Sequence, residues 1–319
     1  IITLVATAGT ACILVLVVMF FTSSTGRILL GNLALPGEYD DEQAFLRDEE
    51  EALEEMDDIS RSNYLQARSF QEANPPDSVQ TDISLSQHMA IQEKGVSAWQ
   101  FEPDFENGAT CMVEAHTEVI FSDADCSVQT NLPIPRQNEI YYWEAKLYEK
   151  PSTSVVSIGL ATKPYPPFRL PGYHRYSVAY DSLGNKRLNQ PFKPTRKYGP
   201  PLVEGDVVGV GYSPRSNTVF FTKNGQKLDE AAHNMRQNLF PTIGANGPCV
   251  VHVNFGHAGF VYIAANVNKW GLAPAHGNLA PPPPYGVEHG SILLERGSEA
   301  SSQQYRSLPG PSARPRLSS

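Results

Sequence analysis

Two adjacent residues, Asn224 and Gly225, constrain this chain more than any other pair. Asn-Gly between alternating apolar segments is the strongest short-range sign of a β-hairpin, because both turn positions need positive φ. The preceding segment reads Asp206-Val-Val-Gly-Val-Gly-Tyr212, and Thr218-Val-Phe-Phe-Thr-Lys leads into the turn. Side chains alternate along a strand, so Val208, Val210 and Tyr212 share one face. Gly209 and Gly211 share the other, where a bulky group can approach the backbone closely. The stretch predicts antiparallel strands of a β-sandwich and holds nothing chemically reactive.

The same alternation recurs over residues 95–270. Glu139–Glu149 places Trp143, Ala145 and Leu147 inward, with Glu144 and Lys146 outward. Val156, Ile158 and Leu160 share a face, and Tyr176–Asp181 precedes a Ser-Leu-Gly-Asn turn. Cys249, Val251, Val253 and Phe255 alternate with His252 and Asn254, which makes His252 a structural residue. Many half-buried strands without helices between them point to an all-β antiparallel sandwich. The segments Glu139-Ile-Tyr-Tyr-Trp-Glu-Ala, Val156-Ser-Ile-Gly-Leu-Ala, Tyr176-Ser-Val-Ala-Tyr, Asp206-Val-Val-Gly-Val-Gly-Tyr, Phe220-Phe-Thr-Lys-Asn-Gly and Leu239-Phe-Pro-Thr-Ile-Gly resemble, in order, the signatures of a SPRY domain. The resemblance implies a bent β-sandwich that binds protein segments through loops at one edge, without catalysis or a cofactor.

The flanks differ from this domain. Residues 1–94 carry a net charge of −11 against +1 for residues 95–270, which argues against a nucleic-acid partner. Ile1–Phe21 has no charged residue. A hydrocarbon core roughly 30 Å thick takes about 20 helical residues, whereas a secretory signal has an apolar part of roughly 7–15. The length favours a transmembrane helix over residues 1–21, and Thr22–Gly26 is the competing cleavage site. The chain does not begin with Met, as expected of a fragment. Its four cysteines form no disulfide framework and no Asn-x-Ser/Thr sequon occurs, so the bulk of the chain is expected in the cytosol. Residues 22–94 read as an acidic juxtamembrane stalk and linker: Glu38–Asp58 as a solvated, partly helical stalk with Phe45, Leu53 and Met56 as a thin apolar stripe, and residues 60–94 as polar linker. A sorting signal at Asp41 and Phe45-Leu46 is the alternative.

Two loops stand out. Lys163–Arg175 is rich in proline, aromatics and cations, and Lys186–Pro201 adds more. From Lys163 to Pro201 there are eight Lys and Arg side chains against one acid, Asp181. Loops on a rigid sandwich carry recognition, and Tyr and Arg are favoured anchors. Candidate cargo-binding residues are Tyr165, Phe168, Arg169, Tyr173, Arg175, Arg187, Phe192, Arg196 and Lys197. Two other readings stand beside this one: a loop that merely caps the sandwich, and a contact with anionic lipid heads. Cys111, His116 and Cys126 lack zinc spacing, so no metal site is expected. Paired carboxylates for hydrolysis have no positive support.

Residues 271–319 are rich in Ala, Pro, Gly and Ser and read as a disordered tail containing Pro281-Pro-Pro-Pro-Tyr285. Consecutive prolines pre-form polyproline II, so docking costs little entropy. Pro282, Pro283 and Tyr285 then match the PPxY ligand of a WW domain, with a plain Pro-rich linker as the alternative.

The combination resembles the fungal endosomal and vacuolar SPRY-domain adaptors of a WW-domain HECT ubiquitin ligase. That resemblance implies a single-pass protein of the endosome and vacuole membrane. It would bind membrane-protein cargo, recruit the ligase and send ubiquitinated cargo into multivesicular bodies. A membrane-tethered sensor or scaffold without ubiquitin function is the other reading. All ten lysines lie between Lys94 and Lys269, so a ligase held at Tyr285 finds no acceptor in the tail beside it. The expected outcome in cells is ubiquitin mainly on neighbouring proteins, read by mass spectrometry; equal modification of this chain would overturn that expectation.

Overall fold

The computed structural model describes residues 42–278 except Asp77, Asp123 and residues 190–196. The predicted span at residues 1–21 and the PPxY motif lie outside the described residues. Among the described residues no helix is long and apolar enough to cross a membrane.

Two sheets form the sandwich, with strands numbered along the chain. One runs, edge to edge, through Phe101–Glu102 (β1), Cys126–Thr130 (β4), Phe240–Ala245 (β12), Val156–Ala161 (β6), Ser177–Asp181 (β7) and Lys186–Leu188 (β8). The other runs through Gln226–Ala232 (β11), Thr218–Lys223 (β10), Val207–Ser213 (β9), Tyr141–Glu149 (β5), Cys249–Asn254 (β13), Glu118–Phe121 (β3) and Met112–Glu114 (β2). All described strand pairs are antiparallel. The β10–β11 turn has φ of 49° at Asn224 and 78° at Gly225, as the Asn-Gly pair requires.

Trp143, Leu147, Ile158, Leu160, Val208, Val210, Tyr212, Phe221 and Ile243 fill the space between the sheets. A smaller cluster of Tyr142, Phe220 and Phe260, with Trp270 and Tyr262 against it, includes the ring-bearing neighbours of the glycine face. A Cβ on Gly209 would lie 1.8 Å from the Tyr142 hydroxyl, and one on Gly211 would lie 2.1 Å from the Phe220 ring. The predicted close approach is therefore made by the chain's own aromatics. Glu144 points away from the sheet–sheet core, as its alternation requires, yet it is buried. It accepts bonds from the Tyr142 hydroxyl at 2.9 Å and from the backbone N–H groups of Val261 at 2.9 Å and Tyr262 at 3.0 Å. One carboxylate, its burial offset by three donors, thus joins the Tyr142 N–H bond to Trp270 O in tying down the chain's return over this sheet.

The outer face of the six-stranded sheet is also covered. Residues 163–175 lie across it: Ser127 N–H donates to Pro167 O at 2.7 Å and the Ser157 hydroxyl to Pro171 O at 2.9 Å. A Cβ on Gly244 would meet Pro171 Cδ at 2.7 Å.

The stalk that reads as partly helical contains one helix, and residues 60–94, which read as linker, hold most of two more. Glu42–Glu55 (α1) and Asp58–Ala73 (α2) are followed by Leu85–Lys94 (α3) and a 3-10 turn at Gly95–Ala98. Asp57 caps α2, and Ser84 with Gln87 forms a capping box on α3. Burial stabilises α2: Tyr64 and Ala67, three apart on one face, are inaccessible to water. The segment between α2 and α3 is tied down where Asn238 donates to Thr81 at 3.0 Å and Asp82 at 2.7 Å. The ordered chain also runs past Trp270, through a short helix at Ile263–Val267 (α4) and beyond. Leu272 is in the core, Val96 N–H donates to Pro274 O at 2.9 Å, and Asn278 N–H donates to Gln92 O at 2.8 Å.

Gly209→Ala is expected to lower unfolding stability by about 1–3 kcal/mol, because the methyl group must push Tyr142 off Glu144 and Thr222. Urea unfolding followed by tryptophan fluorescence measures this.

Candidate recognition surface

The candidate loop residues fall into three environments. Tyr165 is buried and its hydroxyl donates to Leu170 O at 2.7 Å; burial pushes its phenol pKa well above the usual range. It acts as a strut within the loop.

Arg169, Tyr173 and Arg187 come together. The Arg187 guanidinium lies 4.2 Å from the Tyr173 ring centre and that of Arg169 lies 5.9 Å from it. Arg187 Nε also donates to Asp181 at 3.3 Å, and both side chains are buried. Asp181 at the same time accepts from the N–H groups of Leu183 at 3.0 Å and Asn185 at 2.9 Å, so the acid that shapes the β7–β8 turn also fixes the arginine. Gly172, at φ 85°, lets the loop lie against β8: a Cβ there would be 2.4 Å from Arg187 Cβ. Burial raises the carboxyl pKa of nearby Asp125, with the Arg169 charge pulling the other way.

Phe168 and Arg175 meet α2. The Phe168 ring sits edge-on to Phe70, with centres 6.1 Å apart, and the Arg175 carbonyl accepts from Gln71 at 3.2 Å. Between them His174 stacks on Tyr64 at 6.0 Å. The Tyr64 hydroxyl donates to Glu49 of α1 at 3.0 Å, and Arg68 pairs with the same carboxylate. Glu49 is buried, so it joins the two helices over the loop. Lys197 stands apart and exposed, with its backbone bridged to Asn185. Phe192 and Arg196 lie outside the described residues, as do Pro282, Pro283 and Tyr285.

The sequence reading named the loop but not its cover. Tyr64, Ala67 and Gln71 lie at i, i+3 and i+7 behind the Asp57 cap, a helical stripe within a polar stretch. Glu49 is indistinguishable in sequence from the acids around it. His174 Nδ1 accepts from the Arg175 N–H at 3.0 Å, which leaves its proton on Nε2. Among the described residues neither that Nε2 nor Arg169 Nε has an acceptor, although both atoms are buried. The described part of the loop is rich in aromatic rings and cations, with Phe168 and His174 covered by α2.

The SPRY domain family model matches residues 140–258. A protein named ssh4 from Neosartorya fischeri is 64% identical over 299 residues, covering 93% of this chain and 59% of that protein. One named SSH4 from Coccidioides immitis is 65% identical over 297 residues, covering 92% and 60%. The chain thus spans about three fifths of the length of these two relatives. A SPRY domain-containing protein of Schizosaccharomyces pombe is 49% identical over 280 residues, covering 86% of this chain and 72% of that protein. The crystal structure of a human SPRY domain covers 50% of this chain and 99% of that domain, at 22% identity and a TM-score of 0.41.

Burial, together with the charges of Arg169 and Arg175, holds the His174 pKa down to about 3. An unfolded His174 takes up its proton near the ordinary value of 6.5 while the folded one stays neutral, so stability is lost as pH falls from about 7 towards 3. His174→Phe, which keeps a ring against Tyr64, is expected to flatten that part of the stability–pH curve, measured by urea unfolding at a series of pH values.

Proposed function

The chain belongs to the family of SPRY-domain proteins, and from that premise we propose that it is a membrane-anchored adaptor for a HECT ubiquitin ligase. The sandwich binds membrane-protein cargo, and the PPxY motif recruits the ligase through its WW domains. Ubiquitinated cargo then enters multivesicular bodies for degradation in the vacuole. The observation that carries this reading is the sequence Pro281-Pro-Pro-Pro-Tyr285 following a protein-interaction fold. The uncharged run Ile1–Phe21 supports the membrane anchor, and the aromatic and cationic loop supports a protein ligand.

The physical logic is effective concentration. Anchoring adaptor and cargo in one membrane turns the second contact into a nearly intramolecular event, so weak binding at each end suffices. Such an adaptor needs no catalytic group of its own, since the ligase performs the transfer.

Tyr285→Ala is expected to abolish binding of a WW-domain protein while strands β9 and β10 keep their hydrogen-exchange protection. Calorimetric titration of the full chain in detergent micelles tests it. Undiminished WW binding by the Tyr285→Ala chain would overturn the ligase assignment.

A further inference from the structure

Strands β4, β12 and β6 are antiparallel neighbours, so the end of β4, the start of β12 and the end of β6 fall at one end of the sheet. The chain leaving β4 brings Arg136 there, the chain entering β12 brings Arg236, and Lys163 follows β6 by two residues. All three line one cavity of about 310 Å³, whose wall also includes residues 79–82 of the segment between α2 and α3. Asn238 holds that wall in place through Thr81 and Asp82. Among the described residues none of the three cations forms an ion pair. The Arg136 guanidinium donates to the Arg236 carbonyl, and Arg236 Nε donates to Asn234 at 2.6 Å, which leaves further N–H donors on both. The Lys163 ammonium lies 5.6 Å from the Phe240 ring centre and has no hydrogen-bond partner among the described residues. Burial lowers its pKa, with the charges of Glu102 and Asp104 pulling the other way. An ammonium short of solvent and without a partner gains most from an incoming anion. Asp82 is the one carboxylate lining the cavity among the described residues, and it is engaged by Asn238.

We propose that this cavity binds a small, hydroxyl-rich phosphate monoester, its phosphoryl oxygens held by Arg136, Arg236 and Lys163. Guanidinium groups meet phosphate oxygens through paired N–H donors, and the ammonium adds a point charge. Gln80, Thr81 and Gln237 offer amide and hydroxyl groups to the ligand's hydroxyls. Among the described residues no aromatic ring lines the cavity, so a nucleobase finds nothing to stack on. Pro76 and Val79 are its apolar lining, too little to anchor a peptide. The phosphate belongs to a free compound or to a lipid headgroup, and the chemistry recognised is the same. Bound there, the ligand touches both the α2–α3 segment and the sandwich and fastens one to the other. None of the candidate cargo-binding residues lines the cavity, so the site stands apart from both the cargo reading and the ligase motif.

The test is calorimetric titration of the full chain in neutral detergent micelles with inositol trisphosphate. The unaltered chain is expected to bind it, and Arg136→Gln with Arg236→Gln to weaken binding at least tenfold. Lys163→Gln alone should weaken it severalfold. Arg215→Gln, which removes a charge paired with Glu139 elsewhere on the surface, should leave it unchanged. Citrate, a hydroxyl-bearing tricarboxylate, should bind at least tenfold more weakly. Bound ligand should slow hydrogen exchange in residues 79–82. Protection in β9 and β10 verifies that the altered chains stay folded; if the double change unfolds the protein, Lys163→Gln carries the test. Micelles doped with a phosphatidylinositol bisphosphate distinguish the sources. Binding of the free compound alone assigns a soluble ligand, and binding to doped micelles that the free compound displaces assigns a headgroup; either upholds the site. Binding of neither form, equal binding of citrate, equal loss in Arg215→Gln, undiminished affinity in the altered sites, or unchanged exchange in residues 79–82 would each overturn the proposal. Failure of the ligase reading would show in the WW titration and leave these results unaffected.

Discussion

The central strands of the six-stranded sheet have no wet face. Every residue of β4, β6, β7 and β12 is buried, so the sheet needs a second layer on its outer side as firmly as it needs the first. The side chains there are small: Ser127, Ser157, Ser177 and Gly244 leave room for a backbone to settle onto the sheet. Residues 163–175 settle there, their prolines supplying carbonyls to Ser127 and Ser157. That layer lifts the rings of Phe168 and His174 outward, and α2 packs on them. The molecule is thus built outward from one sheet, each layer creating the need for the next.

This layering separates what could be read from the sequence from what could not. The Asn224–Gly225 turn, the inward set of Trp143, Ala145 and Leu147, and the glycine face of β9 follow from local rules of period and sterics, and the structure has each of them. The loop was visible as a concentration of aromatics and cations. Its division into strut, arginine pair and covered patch was not, because Tyr165, Tyr173 and Phe168 differ only in what reaches them from distant parts of the chain. Glu144 makes the same point. Alternation places it outside the core, and only the return of residues 260–262 makes it a buried anchor. The helices after Asp57 were hidden by composition: a polar stretch reads as solvated, and only contact with the loop makes Tyr64 and Ala67 a buried stripe.

Charge has two roles in this chain. Asp181 and Arg187 are locked together inside the fold and serve geometry. Glu49 of α1 instead bridges to Tyr64 and Arg68 of α2 and joins one helix to the next. The first pair fixes the turn and loop of the sandwich, and the second ties together the helices that lie over them.

The backbone bonds from Val96 to Pro274 and from Asn278 to Gln92 place the start and the finish of the sandwich side by side. A pull on the two flanks is therefore carried by a short stitch at one corner, and the sheets are loaded only after it tears. On the N-terminal side the same pull meets the contacts of α2 with the loop, and then the Asn238 tie, before it reaches that corner. Mechanically, the fold is a block held at that corner, with a second tie where Asn238 grips Thr81 and Asp82.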